Sequence, residues 1–229
     1  MCRNPVVGED DTSIDESLNQ VVGWLLNQVG PERFAARVYF GMFFLLDLRD
    51  PCNGTELRVV EITYFVVSND RDQCREVGLI YQQVWTAMVT DEYLDASAGK
   101  QGSAGDQGSW LNMMGSARHL AETFPDVPAI FVPCISGRLD GVDAMTQAVK
   151  WGSVIQAAWS FMLAARNRGL GTCWTTVHLQ REEDVAEVLG IPYSEVQQVA
   201  LSPVAYTVGT EFKAGRRKPE ESFVHFNGW

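Results

Sequence analysis

The sequence lacks the patterns that mark membrane, secreted and metal-binding proteins. No stretch approaches the run of about 18 apolar residues that a membrane-spanning helix requires. The N-terminus shows no basic segment followed by an apolar core, the pattern of a secretory signal. The five cysteines lack CxxC spacing, and the three histidines are far apart in the chain, which argues against a disulfide framework or a metal cluster. We therefore expect a cytoplasmic protein with reduced thiols, no membrane contact and no metal site.

Positive charge is also scarce. Eighteen Lys and Arg residues stand against 29 Asp and Glu residues, which gives a formal net charge of −11. Nucleic-acid binding requires a basic surface, so we expect no nucleic-acid partner. The 229 residues, of which 46% are hydrophobic, suffice for one sizeable core. The composition therefore predicts a single domain over residues 1–229.

Several common catalytic motifs are missing. The chain has no GxGxxG, GxxxxGK[ST], GxSxG or HExxH segment, so dinucleotide-binding, P-loop, serine-hydrolase and zinc-protease hypotheses lack support. A Cys–His nucleophile remains open, with Cys173 and His178 as its candidates. However, Cys173 lies in a predicted buried strand, which favours a small core residue, and His178 is more typical of a structural histidine. The paired acids Glu182 and Glu183 are expected to be solvated at a helix start.

The most informative segment is a helix followed by a glycine-rich turn. From Gly152 to Arg168 the sequence is apolar almost all round, which predicts a helix buried in a core or an interface. The helix is predicted to end at Gly169-Leu170-Gly171, because glycine adopts the left-handed conformation at low cost. A β-rich run, Thr172 to Val177, follows at once. A turn of this kind between a helix and a strand is well placed to hold a cofactor.

The remaining pattern predicts strands interleaved with helices, and thus a layered α+β or α/β fold. Strands are predicted at Val59–Ser68 and at Gln198–Gly209, the latter with an interruption at Pro203. A central strand is predicted at Val127–Ile135, although its two prolines imply an irregular or edge-proximal course. An amphipathic helix is predicted after the turn Asp70-Arg71-Asp72, and its apolar residues are Val77, Ile80, Tyr81, Val84, Trp85 and Met88. Further helices are predicted from about Trp110 to Phe124 and from Gln180 to Leu189. Residues 96–109 are small and polar, which favours a flexible surface loop, with a mobile flap over a site as the alternative.

Three further features could serve a ligand, although each is weak alone. Gly169-Leu170-Gly171-Thr172 could bring backbone N–H groups close to a bound molecule. Arg216-Arg217-Lys218 is the only tight basic cluster in an acidic chain. Asn53-Gly54-Thr55 is a turn before a strand.

Together and in this order, these segments resemble the flavin-dependent nitroreductase family, particularly its actinobacterial-type members. The resemblance covers about residues 111–229 and is carried by Trp159–Arg166, Arg168–Thr175, Leu189–Pro192, Pro203–Tyr206 with Gly209, and Arg216–Pro219. It implies an α+β fold with a mixed sheet flanked by helices, built as an intertwined homodimer with FMN at the subunit interface. It further implies hydride transfer from NADH or NADPH through FMN to a small acceptor such as a quinone or a nitroaromatic compound.

The resemblance also implies roles for particular residues. Gly171, Thr172, Trp174 and Thr175 would line the isoalloxazine ring, partly through backbone groups. Arg216 and Arg217 would reach the FMN phosphate as charge-assisted donors. No catalytic side chain is implied, because the hydride passes directly between nicotinamide and flavin.

The N-terminal half departs from the family pattern. The family's Arg-x-Ser-x-(Arg/Lys) run is best matched by Arg33 to Arg37, with alanine where serine is usual. A rival register makes Arg33 and Arg37 ordinary helix residues and leaves Arg3 as the early arginine. Asn53, Gly54 and Thr55 match the family's flavin-contacting turn, but Glu56-Leu57-Arg58 follows it, and the family's Gln and Trp are absent.

This departure leaves two alternatives to the enzyme open. One is a non-catalytic, nitroreductase-like dimer that binds or sequesters flavin. The other is a structural protein that retains only the fold. The sequence decides neither the acceptor nor the choice between NADH and NADPH.

Overall fold

The computed structural model describes residues 13–21, 45–46, 59–60, 63–98, 104–209 and 219–228. The helices are α1 (residues 13–21), α2 (Arg71–Met88), α3 (Asp91–Ala98), α4 (Ala104–Thr123), α5 (Ala144–Arg166) and α6 (Glu182–Leu189). The strands are β1 (Leu45–Leu46), β2 (Val59–Val60), β3 (Thr63–Ser68), β4 (Ala129–Ser136), β5 (Leu170–Thr172), β6 (Val196–Gln198) and β7 (Ser202–Tyr206). Short 3-10 turns lie at Phe124–Asp126, Val177–Arg181 and Glu220–Ser222.

Five of the strands form one antiparallel sheet. Its order is β3-β4-β7-β5, and β6 pairs with β4 beyond the start of β7. Strands β1 and β2 pair separately with each other. Because β4 has neighbours on both sides, it is the centre of the sheet, and it is buried along nearly its whole length.

Helices cover both faces of this sheet. Ala129 and Phe131 of β4 face α5 and α1, and the Phe131 ring stacks on Phe161 of α5 with 3.8 Å between the centroids. Ile130 and Val132 point to the opposite face, where α2, α4 and α6 close a second apolar cluster. This alternation follows from the period of two along a strand. The prediction of an α+β fold with a sheet flanked by helices is confirmed.

Helix α5 confirms the central predicted helix and shows two different sides. It starts earlier than the predicted Gly152, because the Asp143 carboxylate caps its first turn by accepting the Thr146 N–H at 3.0 Å. The side that includes Val154, Ala158 and Phe161 packs on the sheet. The opposite side exposes a stripe of large apolar residues. Its members are Ile155 (46% exposed), Trp159 (58%) and Leu163 (53%).

The predicted loop at residues 96–109 is wrong over much of its length. Helix α3 continues to Ala98, and α4 is already helical from Ala104, whereas residues 99–103 lie outside the described part. A helix gains one hydrogen bond for each residue that it adds, so it can extend beyond its apolar anchors. The two glycines within the helical part of the segment, Gly105 and Gly108, each cost about 1 kcal/mol and do not prevent this extension.

Strand β4 is the central strand that the sequence predicts, and its proline does not move it towards an edge of the sheet. The carbonyl of Pro133 accepts the Val199 N–H at 2.9 Å, so the proline nitrogen faces the gap between β6 and β7. Cys134 lies opposite Gln198 and Phe131 opposite Ser202, so residues 199–201 oppose only two residues of β4. This bulge tolerates a missing N–H. The predicted strand at Gln198–Gly209 is therefore broken at the bulge and not at Pro203, which pairs with Ile130.

Candidate functional site

The candidate site lies along the outer edge of β5. Gly169 precedes β5 and adopts the left-handed conformation, with a φ of 78°. Its carbonyl accepts the Thr207 N–H at 3.0 Å. Leu170 then lies opposite Tyr206 and Thr172 opposite Val204. In an antiparallel ladder alternate residues bond to the partner strand, so the backbone groups of Leu170 and Thr172 point away from β7. Within the described part of the chain, no strand pairs with β5 on that side.

Gly171 has a packing reason that is independent of any ligand. A Cβ atom at this position would come within 2.8 Å of the Thr207 Cγ2 atom. The Thr207 hydroxyl also donates to the carbonyl of Gly169 at 3.2 Å. Glycine at position 171 therefore lets β5 pack closely on the end of β7, which fixes the position of the edge.

Trp174 projects from a segment that is anchored on both sides. Before it, the Cys173 N–H donates to the Ser202 hydroxyl at 3.0 Å. After it, Thr175 and Leu201 exchange two backbone hydrogen bonds of 2.9 and 2.8 Å. The indole is nevertheless 37% exposed. The backbone is thus fixed while the aromatic ring remains accessible.

Cys173 and Thr175 differ from their expected environments. Cys173 is exposed, so its prediction as a buried core residue is wrong, because β5 ends at Thr172 and the chain leaves the sheet there. Thr175 is buried, and its Oγ1 lies 3.1 Å from the Tyr81 hydroxyl. The Thr175 side chain therefore faces the core, whereas Thr172 and Trp174 lie on the accessible side.

His178 is a fully buried residue. Burial lowers the pKa of His178 to about 3, and the nearby Gln198 side chain opposes this effect only in part. Neither ring nitrogen makes a hydrogen bond of normal geometry with the described residues. His178 is therefore a neutral core residue at physiological pH and is not accessible to a substrate as a general base. Among the described His, Cys, Asp and Glu residues, no group of three or more is arranged to hold a metal ion.

A buried polar network supports the segment that follows the site. Glu182 at the start of α6 accepts from both terminal nitrogens of Arg138, at 3.0 and 2.9 Å, and from the Gln198 N–H at 2.8 Å. The Arg138 guanidinium also lies over the Tyr193 ring, 4.3 Å from its centroid. The prediction that Glu182 is solvated is therefore wrong, whereas Glu183 is exposed as expected. No local sequence signal joins an arginine to a carboxylate 44 residues away.

The other predicted cofactor residues cannot be placed against this edge. They lie outside the described residues, and they are Arg33, Arg37, Asn53, Gly54, Thr55, Arg216 and Arg217. Of the predicted set, the structure thus brings together Gly171, Thr172, Trp174 and Thr175. No helix in the described part of the chain has both the length and the hydropathy to cross a membrane.

Comparisons with known proteins identify related folds. The model of the nitroreductase family matches residues 66–209. The FMN and NADPH-dependent nitroreductase NfnB from Sphigopyxis sp. strain HMH is similar at 14% identity and a TM-score of 0.54, over 100% of this chain and 95% of that one. A BluB-like flavoprotein from Clostridium difficile 630 is similar at 14% identity and a TM-score of 0.49, over 98% and 92% of the two chains. No functionally curated protein matches the chain.

Proposed function

The chain belongs to the nitroreductase family, and on that premise we propose that it is an FMN-dependent oxidoreductase. It passes a hydride from NADH or NADPH to a small acceptor such as a quinone or a nitroaromatic compound. The observation that carries this proposal is the outer edge of β5, where the backbone groups of Thr172 point away from β7 and pair with no strand of the described residues, two positions before the exposed indole of Trp174. We place the protein in the cytoplasm as part of the same proposal.

The residues at this edge fit a flavin ring. Isoalloxazine is flat and aromatic, and it carries nitrogen and oxygen acceptors that the N–H group of Thr172 can meet. Trp174 offers an aromatic surface beside them. Bound FMN would supply the group that takes up and releases the hydride, and the protein would supply orientation and hydrogen bonds.

We assign two different roles to Gly171, Thr172, Trp174 and Thr175. Thr172 and Trp174, which are accessible, would contact the ring directly. Gly171 and Thr175 would support it, because Gly171 packs on Thr207 and the backbone groups of Thr175 are already paired with Leu201. For Arg216 and Arg217 at the phosphate, and for Arg33, Arg37, Asn53, Gly54 and Thr55 at the opposite wall, the proposal relies on the sequence alone.

Flavin binding and reduction test the proposal. We expect the purified protein to take up FMN with a visible flavin band, and the band to bleach when NADH or NADPH is added without oxygen. Addition of a quinone should then restore the band. Failure to take up FMN would overturn the proposal. Uptake without bleaching by either nucleotide would instead select the non-catalytic flavin-binding protein.

We also propose that the enzyme is a homodimer that uses the exposed side of α5. Ile155, Trp159 and Leu163 are spaced by four residues and therefore form one stripe along the helix. Large apolar side chains in a continuous exposed stripe are typical of protein contact surfaces. Because α5 also leads directly into β5, a partner on this stripe would lie near the candidate flavin edge.

Replacing Trp159 with Glu should separate the two subunits. A charge placed among apolar side chains is expected to weaken the dimer by roughly 30-fold or more, the effect of losing one strong interface residue. Sedimentation equilibrium over a range of concentrations measures this change. Leu79→Glu is the matched control, because Leu79 is also partly exposed but lies on α2, on the other side of the sheet. Equal dimer affinity in the Trp159→Glu variant and the native chain would exclude α5 as the contact.

A further inference from the structure

The core determines the position of Tyr81 closely. Its ring is 2% exposed and stacks on Phe124, with 4.6 Å between the centroids. One turn earlier, Gly78 lets α2 approach the backbone of Pro125, because a Cβ at Gly78 would lie only 2.5 Å from the Pro125 Cα. The ring stack and the close approach of α2 therefore fix the position of the Tyr81 hydroxyl.

The Tyr81 hydroxyl contacts the segment that carries the candidate site. The Tyr81 hydroxyl lies 3.1 Å from the Thr175 Oγ1, and the bond is buried. Burial raises the pKa of Tyr81 above its ordinary value, and the hydrogen bond with Thr175, which lowers the pKa, offsets this effect only in part. The phenol therefore stays protonated at neutral pH, so the hydrogen bond persists under physiological conditions.

The hydrogen bond between Tyr81 and Thr175 comes from a different part of the fold than the other contacts that hold this segment. The Leu201 and Ser202 contacts come from the end of the bulge and the start of β7, in the sheet itself. Tyr81 belongs to the helix layer on one face of that sheet. It therefore fixes Thr175 from a second direction, which a backbone pair alone does not provide.

We propose that Tyr81 is a positioning residue, whose hydroxyl holds Thr175 and through it orients Trp174 and the outer edge of β5. Its effect on the cofactor rests on the proposed function, because it requires that the flavin ring lies along this edge. Its effect on the conformation of the segment does not.

The conformation of the segment can be measured without any flavin. Cys173 is exposed, whereas Cys74 and Cys134 are buried, so the rate at which iodoacetamide alkylates Cys173 in the flavin-free protein reports on this segment. Tyr81→Phe keeps the ring stack and removes only the hydroxyl. We expect it to speed alkylation of Cys173 by roughly three- to tenfold relative to Cys74 and Cys134, the effect of one net hydrogen bond. Tyr93→Phe, which alters an exposed tyrosine on α3, is the control and should leave the ratio unchanged.

The FMN complex provides a second readout. Tyr81→Phe is expected to raise the dissociation constant of FMN by roughly three- to tenfold and to change the visible circular dichroism of the bound flavin. Thr175→Val should reproduce both effects, and Thr175→Ser, which keeps the hydroxyl, should restore native behaviour. Because both changes remove the same bond, the Tyr81→Phe, Thr175→Val double variant should be little worse than either single variant.

The outcomes separate this proposal from the proposed function. Faster alkylation of Cys173 in a protein that takes up no FMN would support positioning of the segment and overturn the enzyme proposal. An unchanged alkylation ratio, or an equal increase at all three cysteines, would overturn the positioning role. Faster alkylation of Cys173 with unchanged FMN affinity and spectrum would also overturn it, since Tyr81 would then be a local support only.

Discussion

Replacing Arg138 with Met is expected to lower the free energy of unfolding by about 3–5 kcal/mol, because it leaves the buried Glu182 carboxylate without its counter-charge. The side chain of Glu182 is 9% exposed, and both its oxygens accept from Arg138. A charge that cannot be solvated costs far more than the lost contact itself. Denaturant unfolding at a fixed protein concentration measures the difference.

Two variants test whether the loss of stability comes from the unpaired carboxylate of Glu182. Arg181→Met removes the Arg181–Asp184 ion pair, whose partners are both 42% exposed, and should cost at most about 1 kcal/mol. Adding Glu182→Gln to the Arg138→Met variant removes the unpaired charge while keeping an acceptor for the Gln198 N–H. It should therefore recover part of the lost stability. Equal losses for Arg138→Met and Arg181→Met would contradict the assignment of a buried pair.

The elements that were predicted well carry local signals. Helix α5 and the glycine turn after it follow from apolar spacing and from the left-handed conformation at Gly169. Helix α6 likewise ends at Gly190, which is left-handed with a φ of 66°. Helix α2 begins where Asp70 caps it by accepting two backbone N–H groups. In each case neighbouring residues determine the structure, so the sequence suffices.

The errors concern interactions between distant residues. The prolines of the predicted central strand implied an irregular or edge-proximal course, yet a bulge in the partner strand accommodates Pro133 at the centre of the sheet. The burial of Glu182 depends on Arg138, and the inward orientation of Thr175 depends on Tyr81, 94 residues away. No local pattern encodes such pairs, because tertiary packing decides which side chains meet.

The candidate site also combines features with a local signal and features that depend on distant residues. The sequence placed Gly171, Thr172, Trp174 and Thr175 together because they are close in the chain, and the structure locates Gly171 and Thr172 in the edge strand β5, with Trp174 and Thr175 in the segment that follows it. It could not distinguish the accessible Thr172 from the buried Thr175. The burial of Thr175 follows from its backbone pairing with Leu201 and from its contact with Tyr81, which are both tertiary interactions.

Replacing Gly78 with Ala should destabilise the protein by about 3 kcal/mol, although alanine is the better helix former. The added methyl group would lie 2.5 Å from the Cα and 2.6 Å from the nitrogen of Pro125, and 2.8 Å from the carbonyl carbon of Phe124. These are backbone atoms, which cannot rotate away as a side chain does. Helix α2 would have to move outward, and the Tyr81–Phe124 stack would loosen with it. Thermal and denaturant unfolding measure the loss.

Gly115→Ala tests whether packing outweighs helix propensity. Gly115 also lies inside a helix, α4, but a Cβ there meets no atom of the described residues within 4 Å. This change should therefore stabilise the protein by about 0.5–1 kcal/mol, the ordinary difference between the two residues in a helix. The two glycine-to-alanine changes are thus expected to act with opposite signs. A stabilising effect at both positions would show that α2 can move away from Pro125 at little cost, and that its close approach does not hold Tyr81 in place.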